Sequence, residues 1–529
     1  MNKILRLILY AFCFSIILST LSNHFDFDFG WHLQFGKDAE TIGAFPYADT
    51  HTYTFFGQNW VNHEWGNDLL VWQIYQNFGY WPLLIFASIA ILTAFIIVQK
   101  IFTPKITSLH LITTACLLVS IRHIMVMRPA MYSLLFFGIL WWTLEKLPNK
   151  KTYYWWPPLI WTWSTMHGSW IFAFIVIGIY FIGNAINTIA KKYWPQAALP
   201  YHTWENNTYF HVALWMAITA AAVVINPYGL NIFKEVATYL DPAYFKNRVT
   251  EWIPSYAYPI FWQSLIWVAP AAILIFTGWR KKIVSWPQIL LFIALFASGW
   301  QYKRNMMFFV LICQPIISAG LVWATTTAAP LIANKFSTNS RRIINLIFIL
   351  IVSVLIFQTG KTIRLDRDIW QNKALLSAYD SPPGAIEFLK KELPIDKKTK
   401  IFNEFVWGGY LIWEVPQALI FLDGRGTVTW KLPGQNITAF EFYHDLVYNK
   451  PNGLDWIENS GAEYIILQRS NVGFYPPDAI NRIMFSKDDF KKQFDIKPSL
   501  LEEQIKASHS WQLVYSDHMS LIWRKSSAR

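Results

Sequence analysis

The stretch FDFDFGWHLQFG, residues 25–36, sets two carboxylates, Asp26 and Asp28, two residues apart and just ahead of Trp31 and His32. Acids at the mouth of an apolar segment are costly, so they invite a chemical role. A carboxylate placed this way suits general-base work, taking a proton from an attacking hydroxyl. The pair is also compatible with help from a divalent cation. His32 and His63 lack the tight spacing of a metal site, so hydrogen-bonding roles suit them better. The plainer alternative for Asp28 is the N-cap of a helix that follows it. An extended chain would turn both acids to one side, whereas a helix would splay them.

Other polar residues sit at the ends of apolar runs. Asn62, His63 and Glu64 open an amphipathic helix expected over residues 64–77, with Leu69, Leu70, Trp72, Ile74 and Tyr75 available to a membrane face. Arg128 precedes Pro129, His167 and Gly168 form a tight turn, Glu251 and Trp252 stand beside a proline, and Arg304 opens another apolar run. Each alone reads most simply as a cap or an interfacial anchor. Asp423-Gly424-Arg425-Gly426 ends an apolar strand, a favoured place for ligand contacts in α/β sheets. A structural salt bridge within that turn is the simpler reading.

These residues must be positioned by a chain of 529 residues, 54% hydrophobic and only 15% charged. A soluble domain carries about 25% charged residues. The apolar excess lies in runs ahead of residue 360, each near the length that crosses a bilayer. Eleven spans are expected, near 3–22, 81–99, 106–121, 130–145, 153–167, 169–188, 209–225, 260–278, 284–299, 305–325 and 343–359. The pair at 153–188 is equally compatible with one long broken segment. The first run is longer than a signal-peptide core and reads as an uncleaved anchor.

With the N-terminus in the cytoplasm, 15 of the 23 basic residues ahead of residue 361 fall on the cytoplasmic side. This obeys the positive-inside rule and places the C-terminal region outside. Ten of the 12 acids in the same part fall on the outer side, seven of them in the first outer loop, residues 23–80. Arg122, Arg128, Lys303 and Arg304 break the rule on that same side, where cations can pair with lipid phosphate. The net charge of +12 therefore reflects topology and gives no reason to expect nucleic acid. Cys13, Cys116 and Cys313 are far apart, lie in apolar runs and form no CxxC.

Residues 361–529 are charge-balanced, with 22 basic and 21 acidic residues. KIFNEF, ALIFLDGRG, AEYIILQ, WQLVYS and SLIWRK read as short strands. PGAIEFLKKEL, ITAFEFYHDLVYN and PNGLDWIENSG supply helices. The expected fold is an α-helical polytopic membrane domain, residues 1–360, followed by an extracytoplasmic α/β domain, residues 361–529.

Taken in order, DFDFGWHLQFGKDAETIGAFPYADTHTYTFFGQNWVNHEW, RPAMYSLLFFGIL, TMHGSWIFAF, INPYGLNIF, EWIPSY, KRNMMFF, PPGAIEFLKKELP and FNEFVWGGYLIWEVPQALIFLDGRG cover most of the chain. The ordered set resembles bacterial polytopic proteins of the GT-C glycosyltransferase superfamily, related to the RgtA/B/C/D-like and dolichyl-phosphate-mannose mannosyltransferase-like sets. The resemblance implies a multi-pass protein of the bacterial cytoplasmic membrane. It implies a polyprenyl-phosphate-linked sugar donor and an extracytoplasmic glycan, lipid or protein acceptor. It implies a catalytic acid in the first outer loop, where Asp26 and Asp28 stand. Its donor phosphate would need cations such as Arg128 or Arg304, with His32, His63, Glu64, His167 and Glu251 as further substrate-binding candidates. It requires no certain cofactor. Two departures stand out: Gly30 occupies a place where this branch often has a second Trp, and the WWDxG signature of oligosaccharyltransferases is missing. No early GxGxxG suggests a nucleotide donor. A non-catalytic scaffold for envelope polysaccharide is the alternative. A transporter fits less well, since the acids lie in loops and no internal repeat is visible.

Overall fold

The computed structural model describes residues 2–23, 26–103, 105–147, 150–199, 204–239, 249, 251–252, 254–257, 262–333, 382–426, 428–432, 434, 436–469 and 499–526. Helices dominate. In chain order they include α1 (Asn2–Asn23), α2 (Phe29–Ile42), α3 (Trp65–Phe78), α4 (Tyr80–Phe102), α5 (Ser108–Ile121), α6 (Ala130–Lys146), α7 (Trp156–Met166), α8 (Ile171–Tyr193) and α9 (Asn206–Val223). After these come α10 (Asn231–Thr238), α11 (Val268–Arg280), α12 (Trp286–Gln301), α13 (Met306–Ala333), α14 (Pro383–Glu392), α15 (Gly408–Glu414), α16 (Ala439–His444), α17 (Gly453–Asn459) and α18 (Leu500–Ala507).

Contacts divide the chain into two compact units. The first takes residues 1–24, 83–229 and 250–365, and the second takes residues 25–82, 230–249 and 366–529. Residues 25–82 and the C-terminal region thus fold together in the second unit.

The first unit is a helical bundle. Helices lie on the first ten expected spans, while 343–359 falls outside the described residues. Among the described residues, four segments are long and apolar enough to cross a membrane: Lys3–Ser22, Tyr80–Phe102, Gly168–Tyr193 and Lys303–Trp323. Shorter apolar helices cover Ser108–Ile124 and Val268–Arg280. The region 153–188 is two helices, broken at His167, whose backbone is extended. At the far end of α6, buried Glu145 ties three helices together. It accepts from Trp141 Nε1 at 3.2 Å, from Gln288 Nε2 at 3.1 Å, and from the Tyr180 hydroxyl. A carboxylate so deep in apolar surroundings needs this number of donors.

The second unit is built on a five-stranded sheet. Its strands are β1 (Lys400–Asn403), β2 (Leu419–Ile420), β3 (Tyr464–Gln468), β4 (Trp511–Ser516) and β5 (Ser520–Lys525), in spatial order β2-β1-β3-β5-β4. The first three are parallel, and β5 runs antiparallel to both β3 and β4. Each strand falls on one of the five runs expected from β-branched and aromatic content. The buried pattern of β3, four successive apolar positions, is that of a strand covered on both faces.

Residues 51–53, between α2 and α3, complete this sheet. Thr52 bridges Ile420 in parallel register, with Ile420 N–H donating to His51 O at 2.9 Å and Tyr53 N–H to Ile420 O at 3.0 Å. The edge of β2 is thereby paired rather than open. α2 crosses α15 with backbones in close approach. A Cβ on Gly30 would lie 2.2 Å from the Gly409 carbonyl oxygen. A tryptophan at position 30 has no room here, which accounts for the glycine.

Candidate functional site

In the second unit the acid pair sits in a turn that leads into α2. Asp26 is buried, and its carboxylate accepts the Asp28 backbone N–H at 3.1 Å. This is an Asx-type turn, which short acids favour. Asp28 occupies the N-cap position of α2, yet its side chain makes no capping hydrogen bond. Its carboxylate lies against Gly424 instead, where a Cβ would come within 2.3 Å of Asp28 Oδ1. Gly424 belongs to the DGRG turn, so that turn and the first acid pair meet within one unit.

His32 follows one turn into α2 and is 2% exposed. Its Nδ1 lies 2.5 Å from Asp68 Oδ1, and its Nε2 lies 3.8 Å from Glu64 Oε2. Asp68 also accepts from Asn62 Nδ2 at 2.6 Å and Asn67 Nδ2 at 3.1 Å. Asn62 Oδ1 in turn accepts the Glu64 amide at 2.9 Å. Burial alone would lower the His32 basicity. The charges of Asp68, Glu64 and Asp26 outweigh it and push its pKa up to about 9. The ring is therefore an imidazolium at neutral pH. His63 stands further out, with Nε2 3.9 Å from Glu64 Oε1 and its ring edge-on to Tyr239.

On α3 the residues expected to be available to a membrane face, Leu69, Leu70, Trp72, Ile74 and Tyr75, are partly exposed. Asn67, Asp68 and Val71 form its buried face, while Trp72, Ile74 and Tyr75 are half-exposed. Asp68 on that buried face meets the His32 ring.

Asp423 and Arg425 form an ion triad with Asp49. Arg425 Nε donates to Asp423 Oδ1 and Nη2 to Asp423 Oδ2, both at 2.8 Å. Nη2 also reaches Asp49 Oδ1 at 2.7 Å. Both carboxylates are fully buried, and Trp60 and Trp430 flank the guanidinium at 4.9 and 5.4 Å. Burial would raise the Asp49 carboxyl, but the Arg425 charge and the Thr52 hydroxyl hold it below the usual range. All of the Arg425 contacts named here are internal, so the turn acts as a pin between the first loop and the sheet. Nearby in sequence, Thr429 donates to buried Glu235, whose pKa burial pushes up to about 8.

In the first unit, four residues named from widely separated places come together. Arg128 pairs with Glu251, and the Arg304 amide donates to the Glu251 carbonyl at 3.1 Å. Arg304 Nη2 donates to His167 Nε2 at 3.2 Å. The other ring nitrogen, Nδ1, lies 3.3 Å from the Ser169 backbone N–H, 2.7 Å from Ser169 Oγ and 3.0 Å from Ser133 Oγ. The Arg304 guanidinium also lies over Trp252 at 4.8 Å. Burial would raise the Glu251 carboxyl, yet the charges of Arg128, Arg304 and Lys303 hold it below the usual range. Among the described residues, these three cations all act on the Glu251 carboxylate. It sits where α6, α8 and α13 begin, and helix N-termini add positive potential there. Such a place suits an anion, a phosphate group above all.

Asp49, Asn62, Asn67 and Asp68 are not marked as site residues by type and spacing. Glu64 and Asp68, four apart on one helix face, are the signal that was there to find. Among the described residues no group of three His, Cys, Asp or Glu side chains could hold a metal ion. No protein-family model matches the chain, and no curated protein matches it.

Proposed function

We propose that the chain is a multi-pass membrane glycosyltransferase that moves a sugar from a polyprenyl-phosphate donor to an extracytoplasmic acceptor. The proposal carries eleven spans in the bacterial cytoplasmic membrane, an N-terminus inside and the C-terminal region outside. The observation that supports it most is the cluster of Arg128, Lys303 and Arg304 around Glu251, at the head of two membrane-length helices. Cations at the end of apolar helices match a lipid-borne phosphate. The second support is the acid pair, turned by Asp26 and packed on Gly424.

In the proposed step an acceptor hydroxyl attacks the anomeric carbon of the donor sugar. Asp26 or Asp28 takes the hydroxyl proton, and the bond from the anomeric carbon to the phosphate oxygen breaks. Polyprenyl phosphate leaves with that electron pair, and configuration inverts. The negative charge that grows on the leaving phosphate is what Arg128 and Arg304 would stabilise.

Mass analysis of membrane glycolipids and surface polysaccharide, with and without the gene, tests this. The expected result is the loss of one sugar from one glycan, restored by the wild-type chain. Identical glycans in both strains would overturn the proposal.

A further inference from the structure

The buried histidine of α2 has no role in the step just described, yet it is 2% exposed and ringed by acids. Three carboxylates act on its ring: Asp68 and Glu64 from the start of α3, and Asp26 from the turn before α2. Asp68 is fully buried and held by three donors, the His32 ring, Asn62 and Asn67. The Trp31 indole covers the ring at a centroid distance of 3.6 Å. An aromatic face over a cation adds to its stability.

Resting on the transfer reading above, we propose that His32 is a positioning residue: a fixed imidazolium, clamped by Asp68, that gathers Asp26 and Glu64 around one buried cation. Like charges buried together repel, and each loses its hydration. A cation among them removes both objections. Nδ1–H is committed to Asp68 at 2.5 Å, which fixes the ring plane and aims Nε2 at Glu64. At 3.8 Å that second contact is an ion pair beyond hydrogen-bond length. His32 thus works on the acid turn through charge and placement, and needs no contact with substrate.

The direction with pH follows from the sign of the shift. The folded-state value of about 9 lies above the ordinary 6.5, so the charge is present at neutral pH and lost as pH rises through about 9. Removing the Asp68 charge lowers that midpoint by about 1–3 pH units.

The test uses the full chain in lipid nanodiscs with 15N-labelled histidine. His32→Gln assigns the ring signal, and wild type is compared with Asp68→Asn and His32→Lys. Release of polyprenyl phosphate from polyprenyl-phosphate hexoses and pentoses is followed against pH in the same samples. The expected His32 midpoint is near 9 in wild type and about 1–3 units lower in Asp68→Asn, with the alkaline limb of turnover moving down in step. His32→Lys retains turnover and loses that limb near 9, while His32→Gln is slow at every pH. A wild-type midpoint near the ordinary 6.5, or an alkaline limb that Asp68→Asn leaves in place, overturns the inference. A midpoint near 9 with no turnover of any donor counts against glycosyl transfer and leaves the buried imidazolium upheld.

Discussion

Asparagine at both positions 26 and 28 lowers transfer by roughly 10²–10⁴-fold, the usual weight of a positioned base. The double variant still folds. The Asp26→Asn side chain keeps an oxygen to accept the residue 28 amide, so the turn into α2 survives. Asp28 makes no capping hydrogen bond in α2, so Asp28→Asn removes no cap. The single variants separate the two acids: the base is the one whose replacement alone reproduces the double loss. Complementation of the deletion strain, with the chain quantified in membranes, reads this directly. Full glycan restoration by a normally expressed double variant would mean that the acid pair does no chemistry.

The second large effect is on stability. Arg425→Met leaves Asp49 and Asp423 buried together without their cation, at a cost of about 3–5 kcal/mol. Lysine is a poor substitute, because the planar guanidinium serves two carboxylates and sits between two indoles. Adding Asp49→Asn to Arg425→Met recovers part of the loss, since one buried charge is then removed as well. Thermal unfolding of the three variants, with proteolysis of the first loop as a second probe, checks this. The Asp49 contribution has its own pH sign: its folded-state value is depressed, so the stabilisation holds at neutral pH and fades as pH falls through that value. An Arg425→Met chain as stable as wild type would remove the pin from the account.

Much of this arrangement is legible in local sequence. The five strands fall on short β-branched and aromatic runs, and β3, at the centre of the sheet, is buried over four successive positions as a strand covered on both faces must be. The start of α2 is marked by Asp28, and α3 begins one residue after Glu64. Arg128, His167, Glu251 and Arg304 each stand out as polar residues at the ends of apolar runs, and the fold then brings them together. What local pattern does not carry is pairing at a distance. Nothing near Asp49 announces Arg425, 376 residues away, and the parallel bridge from Thr52 to Ile420 is invisible from either strand alone. Asp68 is hidden in the same way. Its partner His32 lies 36 residues earlier, and nothing in the local pattern of α3 marks that pairing. Span counting shows a further limit. Helices lie on the first ten apolar runs, while among the described residues four segments meet the length and hydropathy expected of a crossing.

The most direct test of glycosyl transfer is release of polyprenyl phosphate by the purified chain. The full chain in nanodiscs is given polyprenyl-phosphate-linked hexoses and pentoses with a membrane glycolipid extract as acceptor, and the freed lipid phosphate is quantified. Glycosyl transfer predicts release from at least one donor, with the sugar inverted on the acceptor. It also predicts loss of that release by about 10²-fold or more in the Asp26→Asn, Asp28→Asn chain. No release from any donor by a folded wild-type chain, or equal release by the double variant, would contradict it.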